Sequence, residues 1–175
     1  VEIRTAVATG ERIGGAIATN EKIIMAKPRH GTTAATKMLF HIAEANQSLT
    51  RETRKRISAP EAAANLLNLS KQRFKIVIIS DFQGFPDDWE EIVKRLARKN
   101  SLDLVHIFDP IEESLPPPGR YTVSDGKEHA IFSSRDSVLS IEYEKAFNQK
   151  KSQLSQLAKL SSVIYRNIST DTQSI

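Results

Sequence analysis

A strand, a helix and a second strand follow one another between residues 75 and 109, and this unit constrains the fold most. Residues 75–81 form a nearly continuous β-branched run, which is typical of a central strand buried on both faces. Asp87 is expected to cap the helix, and residues 102–108 form the second strand. Because such crossovers are right-handed, the two strands are expected to be parallel neighbours. The unit therefore predicts an α/β fold. The apolar stripe of its helix comprises Trp89, Ile92, Val93 and Leu96.

The region before this unit predicts a helix tail, a hairpin and two further helices. Residues 1–9 should be helical and end at Gly10, and residues 12–18 and 22–27 should pair, with Pro28 ending the second strand. A helix should open at Gly31-Thr32-Thr33, and another should start at Ser58. The apolar positions expected to pack on a sheet are Ala35, Met38, Leu39, Ile42 and Ala43, and then Ala63, Leu66 and Leu67.

The region after residue 109 predicts a small hairpin, a long helix and a last strand. The hairpin strands at 121–124 and 129–133 flank Asp125-Gly126, a strong turn signal. Asp136 can cap the helix, and the last strand is expected at 163–167. The inward positions of the helix are Tyr143, Phe147, Leu154, Leu157 and Ala158.

The composition predicts one soluble domain over residues 1–175. The chain has no cysteine, which excludes disulfides and thiolate sites, and no run approaches the roughly 20 apolar residues needed to cross a bilayer. The net charge of +4 could favour anionic partners. However, the basic run over residues 51–56 has no aromatic residue interleaved for base stacking, so no nucleic-acid binding is expected.

Several short motifs, in this order, resemble a known family. They are Arg12-Ile13-Gly14-Gly15, Lys27-Pro28-Arg29-His30-Gly31, Ile79-Ser80-Asp81-Phe82, and Phe108-Asp109-Pro110 followed by Glu113-Ser114-Leu115-Pro116. With the order of elements, they resemble the bacterial domain of unknown function 58 family and, more broadly, the von Willebrand factor type A fold. The resemblance implies a three-layer, Rossmann-like, mostly parallel sheet with an antiparallel edge strand. Its first strand would be missing here, as in an N-terminally truncated fragment.

The resemblance also implies a function. Family members resemble von Willebrand type A proteins encoded beside MoxR-type AAA+ ATPases, and they are thought to assist in assembling or activating other proteins. We therefore expect a non-enzymatic interaction domain whose partner is such an ATPase or its substrates. The parent would be a bacterial protein, cytoplasmic or anchored to the cytoplasmic membrane through upstream segments.

The resembled fold carries a metal-ion-dependent adhesion site. Asp81 stands where the last aspartate of that site would be, and Thr32 or Thr33 is the only plausible threonine. The Asp-x-Ser-x-Ser loop has no counterpart in the chain. One carboxylate and one hydroxyl do not hold a hydrated Mg²⁺, so we expect no metal or other cofactor here, although the full-length parent could bind Mg²⁺. The structural alternatives are a turn-capping Asp81 and helix-start threonines.

A hydrolase is the alternative function. Asp81 and Asp109 end two strands predicted to be adjacent and parallel, so both should lie at the carboxyl edge, where open α/β sheets bind ligands. A metal-dependent phosphoester hydrolase could use this pair, but Asp109 precedes Pro110 and is also suited to shaping a turn. The histidines, among them His106 in a strand, show no ligand spacing, so no zinc site is expected.

The missing strand has a structural consequence. In the resembled fold it lies between the strand near Ile13 and the strand near Ile78, so its absence would leave two central edges unpaired. Unpaired backbone groups in a sheet interior are costly. We therefore expect that the two strands close together or that another chain fills the gap, giving a homo-oligomer through the sheet.

Overall fold

A computed structural model describes residues 2–19, 22–47, 73–83, 88–124, 129–160 and 162–171. The basic run over 51–56, the helix expected from Ser58, the cap expected at Asp87 and the turn at Asp125-Gly126 lie outside these residues. The chain divides into two compact units, Val1–Leu66 and Leu67–Ile175. That the chain forms a single domain stays a prediction. None of the described helices is long and apolar enough to span a bilayer.

The first unit contains a short helix, a hairpin and a longer helix. Helix α1 spans Glu2–Ala8, strands β1 and β2 span Arg12–Ala18 and Ile23–His30, and helix α2 spans Thr32–Gln47. Gly10 follows α1 with a φ of 71°, as expected for a C′ glycine. The Gly10 amide donates to the Val7 carbonyl and the Glu11 amide to the Ala6 carbonyl, the two bonds of a Schellman motif.

Strand β2 does not end at Pro28, contrary to the sequence expectation. It continues to His30, which pairs with Arg12, and the register shifts between Ile13 and Gly15 in a bulge. A Cβ built on Gly14 would lie 2.6 Å from the Pro28 nitrogen and 2.7 Å from the Ala26 oxygen. The proline is accommodated because a bulge relaxes the ladder and a residue without a side chain lies beside it.

Helix α2 packs on the hairpin through fewer residues than its sequence pattern suggests. Ala35 is buried and Met38 is half-buried against Gly15, which lies under the Met38 methyl group. Leu39, Ile42 and Ala43, expected on the same packed face, are exposed. Two antiparallel strands offer a narrow surface, so only one edge of a wide apolar stripe can be covered.

The second unit is built on three parallel strands. Strands β3, β4 and β7 span Lys75–Ser80, Ser101–Phe108 and Val163–Ser169, and their order in the sheet is β3-β4-β7. Helices α3, α4 and α5 span Trp89–Ala97, Pro110–Glu113 and Ser137–Leu157. A hairpin of β5, Arg120–Ser124, and β6, His129–Ser133, precedes α5. Asp136 caps α5 as expected and accepts bonds from the Val138 and Leu139 amides.

One face of this sheet is the core of the unit. Since β3, β4 and β7 follow in order, two right-handed crossovers place α3 and α5 on the same side. The predicted stripe of α3 is fully buried, and Phe147, Leu154 and Leu157 of α5 are buried as well. Their partners on the sheet are Ile78, Leu102, Leu104, His106, Phe108 and Val163.

The predicted α/β class and the parallel β3-β4 pair are confirmed, but the sheet arrangement is different in detail. The described strands form three separate sheets, with β1-β2 and β5-β6 each forming an antiparallel hairpin of its own. Strand β3, expected to be central and buried on both faces, lies at an edge, and its Ile79 is 63% exposed. The strand near Ile13 belongs to the first unit and the strand near Ile78 to the second, and closure of the gap between them, by each other or by another chain, stays a prediction.

Replacing Gly14 with alanine should destabilise the chain by about 1–3 kcal/mol, because the new methyl group would meet the Pro28 backbone. Gly15 is the matched control on the same strand. A Cβ there would meet only the flexible end of Met38, so Gly15→Ala should cost clearly less. Urea unfolding measures both. Equal losses in the two variants would contradict the proposed role of Gly14.

Candidate functional site

The carboxyl edge of the parallel sheet gathers acidic side chains that have structural roles. Asp109 follows β4 and is the N-cap of α4, where its carboxylate accepts a bond of 3.0 Å from the Ile111 amide. Glu112 accepts from the Asp109 amide at 3.1 Å, which completes a capping box. Thr170, just after β7, donates to the other Asp109 oxygen at 3.3 Å. Asp109 therefore ties the ends of β4 and β7 to α4.

Asp81 joins the same network through Gln83. Its carboxylate accepts a bond of 3.0 Å from the Gln83 amide, which is the turn-capping alternative anticipated for this residue. The Gln83 side chain in turn donates to Glu112 at 2.8 Å. Asp81 and Asp109 thus lie at one edge of the sheet, each held by backbone amides in a turn.

Phe82, between Asp81 and Gln83, has an unusual backbone conformation. Its φ is 52°, in the left-handed region that bulky side chains rarely adopt. Its amide donates to the Ser80 hydroxyl at 3.0 Å. Its ring is buried against Trp89 and His106. Burial of the ring offsets the backbone strain and fixes the direction in which Asp81 leaves the strand.

His106 lies beneath this edge and is fully buried. Its ring is surrounded by Phe82, Phe108, Phe147 and Tyr165, and its Nδ1 is 3.1 Å from the Tyr165 hydroxyl. Burial lowers its pKa from 6.5, and Lys150 lowers it further. Burial also raises the pKa of Tyr165. The surroundings favour an uncharged pair in the core, in line with the structural role expected for a histidine in a strand.

The residues expected to be remnants of a metal site are distributed over both units. Thr32 and Thr33 form the first turn of α2, in the first unit, and Asp81 follows β3 in the second. Across the part of the chain that is described, no three His, Asp or Glu side chains are grouped as metal ligands would be. Whether the chain binds a metal stays a prediction.

The other face of the parallel sheet has a different character from the core face. The register places Val77, Asp103 and Ile164 in one row across the three strands, and Ile79, Val105 and Arg166 in the next. We call this surface the isoleucine face, after its exposed members Ile79, Ile107, Ile164 and Ile168. A parallel sheet normally has both faces covered, so exposed isoleucines on one of them are unusual.

An ion-paired group lies within the isoleucine face. Asp103 is buried on the central strand, where its carboxylate accepts a hydrogen bond from the Arg166 guanidinium and lies 3.7 Å from the Lys75 ammonium. The three residues come from β7, β4 and β3, so the charges link all the strands of the sheet. A buried carboxylate needs such partners, because an unpaired one would lose its hydration without compensation.

Sequence reasoning missed this face although one signal was present. Asp103 interrupts the apolar run Leu102-Asp103-Leu104-Val105, and an acid inside a strand that is otherwise buried indicates a buried ion pair. The identity of the partners, Lys75 and Arg166, depends on strand order and register. Neither can be read from the spacing of the residues along the chain.

Replacing Asp109 with alanine should destabilise the chain by about 0.5–2 kcal/mol, because α4 loses its N-cap. Asparagine at the same position also accepts a bond from the Ile111 amide, so Asp109→Asn should retain most of the stability. The midpoints of urea unfolding of the two variants measure the difference. An asparagine variant as unstable as the alanine variant would argue against the capping role.

Comparison with known proteins gives one family and one structure. A crystal structure of the conserved hypothetical protein BatB from Bacteroides thetaiotaomicron is similar to this chain at 10% identity, with a TM-score of 0.45, over 96% of this chain and 77% of that one. No curated protein matches the sequence. The family model described as protein of unknown function DUF58 matches residues 4–153, most of the chain. The resemblance inferred from the short motifs is thereby confirmed, and the chain belongs to the DUF58 family.

Proposed function

We propose that this chain is a non-enzymatic protein-interaction domain of von Willebrand factor type A-like architecture, which works with a MoxR-type AAA+ ATPase in assembling or activating other proteins. The ATPase as partner is suggested by the resemblance of the sequence to proteins encoded beside such enzymes. The observation that carries an interaction function is the isoleucine face. Exposed aliphatic side chains on an otherwise regular sheet are characteristic of a surface that binds protein.

The chemistry of the isoleucine face suits a protein partner. Ile79 and Ile164 project from the two outer strands, and the paired charges of Asp103 and Arg166 lie in the same two rows as these isoleucines. Burying aliphatic groups supplies most of the free energy of such an association, at about 25 cal/mol for each Å². Fixed charges within an apolar surface add specificity, because a partner must match their positions without breaking the ion pair.

The carboxyl edge of the parallel sheet, which we call the acidic edge after Asp81, Asp109 and Glu112, supports an enzymatic function less well. The Asp109 carboxylate caps a helix and also accepts from Thr170, while the Asp81 carboxylate caps the Gln83 turn. A catalytic or metal-binding carboxylate directs its oxygens at a ligand, whereas both Asp109 oxygens and one Asp81 oxygen accept bonds from backbone amides or a hydroxyl.

Replacing Ile79 with glutamate should weaken binding to the purified ATPase by about tenfold or more, since a charge would enter the apolar contact. Ile131 is the matched control, because it is an isoleucine on a strand with 64% exposure, against 63% for Ile79. Isothermal titration calorimetry with the whole chain measures both variants. We expect Ile131→Glu to bind like the unmodified protein. Absence of binding by the unmodified protein, or equal losses in the two variants, would contradict the proposal.

A metal-dependent phosphoester hydrolase is the alternative, and the observation in its favour is that Asp81 and Asp109 follow adjacent parallel strands. It requires turnover of p-nitrophenyl phosphate with Mg²⁺ or Mn²⁺ that disappears in Asp81→Ala. We expect the same background rate for the unmodified protein and the variant. A metal-dependent rate lost in the variant would favour the enzyme.

A further inference from the structure

His106 is an ionisable group in the middle of the aromatic core of the second unit. It lies on β4 and faces α5, where the Phe147 ring is 6.0 Å away. Its Nδ1 contacts the Tyr165 hydroxyl, but its Nε2 has no hydrogen-bond partner among the residues described. A neutral imidazole can leave one nitrogen without a donor hydrogen, whereas an imidazolium has two N–H donors that both need acceptors.

The charges around His106 divide between the elements that pack on it. Lys150 and Lys151 of α5 oppose a positive charge on the ring. Glu112 of α4 and Asp81 after β3 favour a positive charge on the ring, but both carboxylates already accept bonds from Gln83. Lys151 also lies over the Phe108 and Phe147 rings, 5.7 Å and 5.3 Å from their centroids, which keeps its charge beside the histidine.

We propose that His106 is a pH-sensitive element of the fold, which holds α5 on the sheet while it is neutral and loosens this packing when it is protonated. A proton on His106 would place a charge and an unsatisfied Nε2–H inside an aromatic cluster. The cluster relieves this by opening toward water, and α5 is the element that closes it on that side.

Loosening of α5 would reach the acidic edge of the sheet. The Tyr143 hydroxyl of α5 donates to the Ile111 carbonyl of α4 at 2.8 Å, and Lys151 pairs with Glu113 at 3.3 Å. Helix α4 carries the capping box of Asp109 and Glu112, so it shares in any movement of α5. Acidification would therefore change the shape of the edge that the Asp81 turn and α4 form together.

The sign of the pH dependence follows from the lowered pKa of His106. The unfolded chain binds a proton at this residue at a higher pH than the folded chain does. The contribution of neutral His106 to stability is therefore fully present above about pH 6.5 and is lost as the pH falls below it. On acidification, the thermal midpoint should fall by about 3–5 °C for each tenfold reduction in the proton affinity of His106 that burial causes.

The test compares thermal unfolding between pH 8 and pH 5 for the unmodified chain, His106→Phe and His129→Gln. His129 is an exposed histidine of β6 and serves as the matched control. We expect the acid-induced fall of the midpoint to be reduced in His106→Phe and unchanged in His129→Gln. Hydrogen exchange at pH 5.5, corrected for its intrinsic pH dependence, should show lost protection in α5 before β4.

NMR titration of the His106 ring in the unmodified chain keeps the proposal testable if His106→Phe does not fold. A ring that titrates well below 6.5 supports it. A ring that titrates at or above 6.5, an unchanged pH dependence in His106→Phe, or full protection of α5 at pH 5.5 would each overturn it.

Discussion

The second unit depends on the double pairing of strand β4. It hydrogen-bonds to β3 on one side and to β7 on the other, both in parallel register. Since successive residues of a strand point to opposite faces, this placement sends Leu102, Leu104 and His106 into the core and Asp103 to the opposite face. The core, the buried ion pair and the acidic edge all follow from the position of this one strand.

The two faces of the sheet differ in how they accommodate ionisable groups. On the core face, the aromatic and aliphatic groups around His106 disfavour a charge on its ring. On the isoleucine face, Asp103 is buried by its own neighbours and its ion pairs with Arg166 and Lys75. A carboxylate bound in this way can remain charged among aliphatic side chains without leaving a charge unpaired.

Local patterns predicted local structure well. The stripe of α3, the Gly10 terminus and the Asp136 cap each depend on residues within a few positions of one another, and all are found. The position of β3 at an edge and the continuation of β2 through Pro28 depend on partners distant in sequence. An apolar run looks the same in a central and an edge strand, and Pro28 is tolerated because a bulge and Gly14 lie beside it.

The same division applies to the candidate site. That Asp81 and Asp109 end neighbouring strands could be predicted from the βαβ pattern, because parallel strands finish at one edge. Their turn roles could also be anticipated, because the Gln83 and Ile111 amides that they accept from are two residues away. The bonds from Gln83 to Glu112 and from Thr170 to Asp109 could not be predicted, since they join residues that are distant in sequence. The bonds that join the Asp81 turn to α4, and α4 to the end of β7, are tertiary contacts.

The β5-β6 hairpin is held at its base by side-chain hydrogen bonds. The Ser134 hydroxyl donates to the Pro117 carbonyl and accepts from the Gly119 amide, and the Tyr121 hydroxyl also donates to the Pro117 carbonyl. These bonds join the base of the hairpin to the loop of Pro116, Pro117 and Pro118, so they fix the positions of the two strand ends there. An insertion at its tip would leave that base intact. The hairpin is therefore a place where related chains can diverge in length and surface chemistry, and where a foreign loop can be grafted, while the parallel sheet is retained.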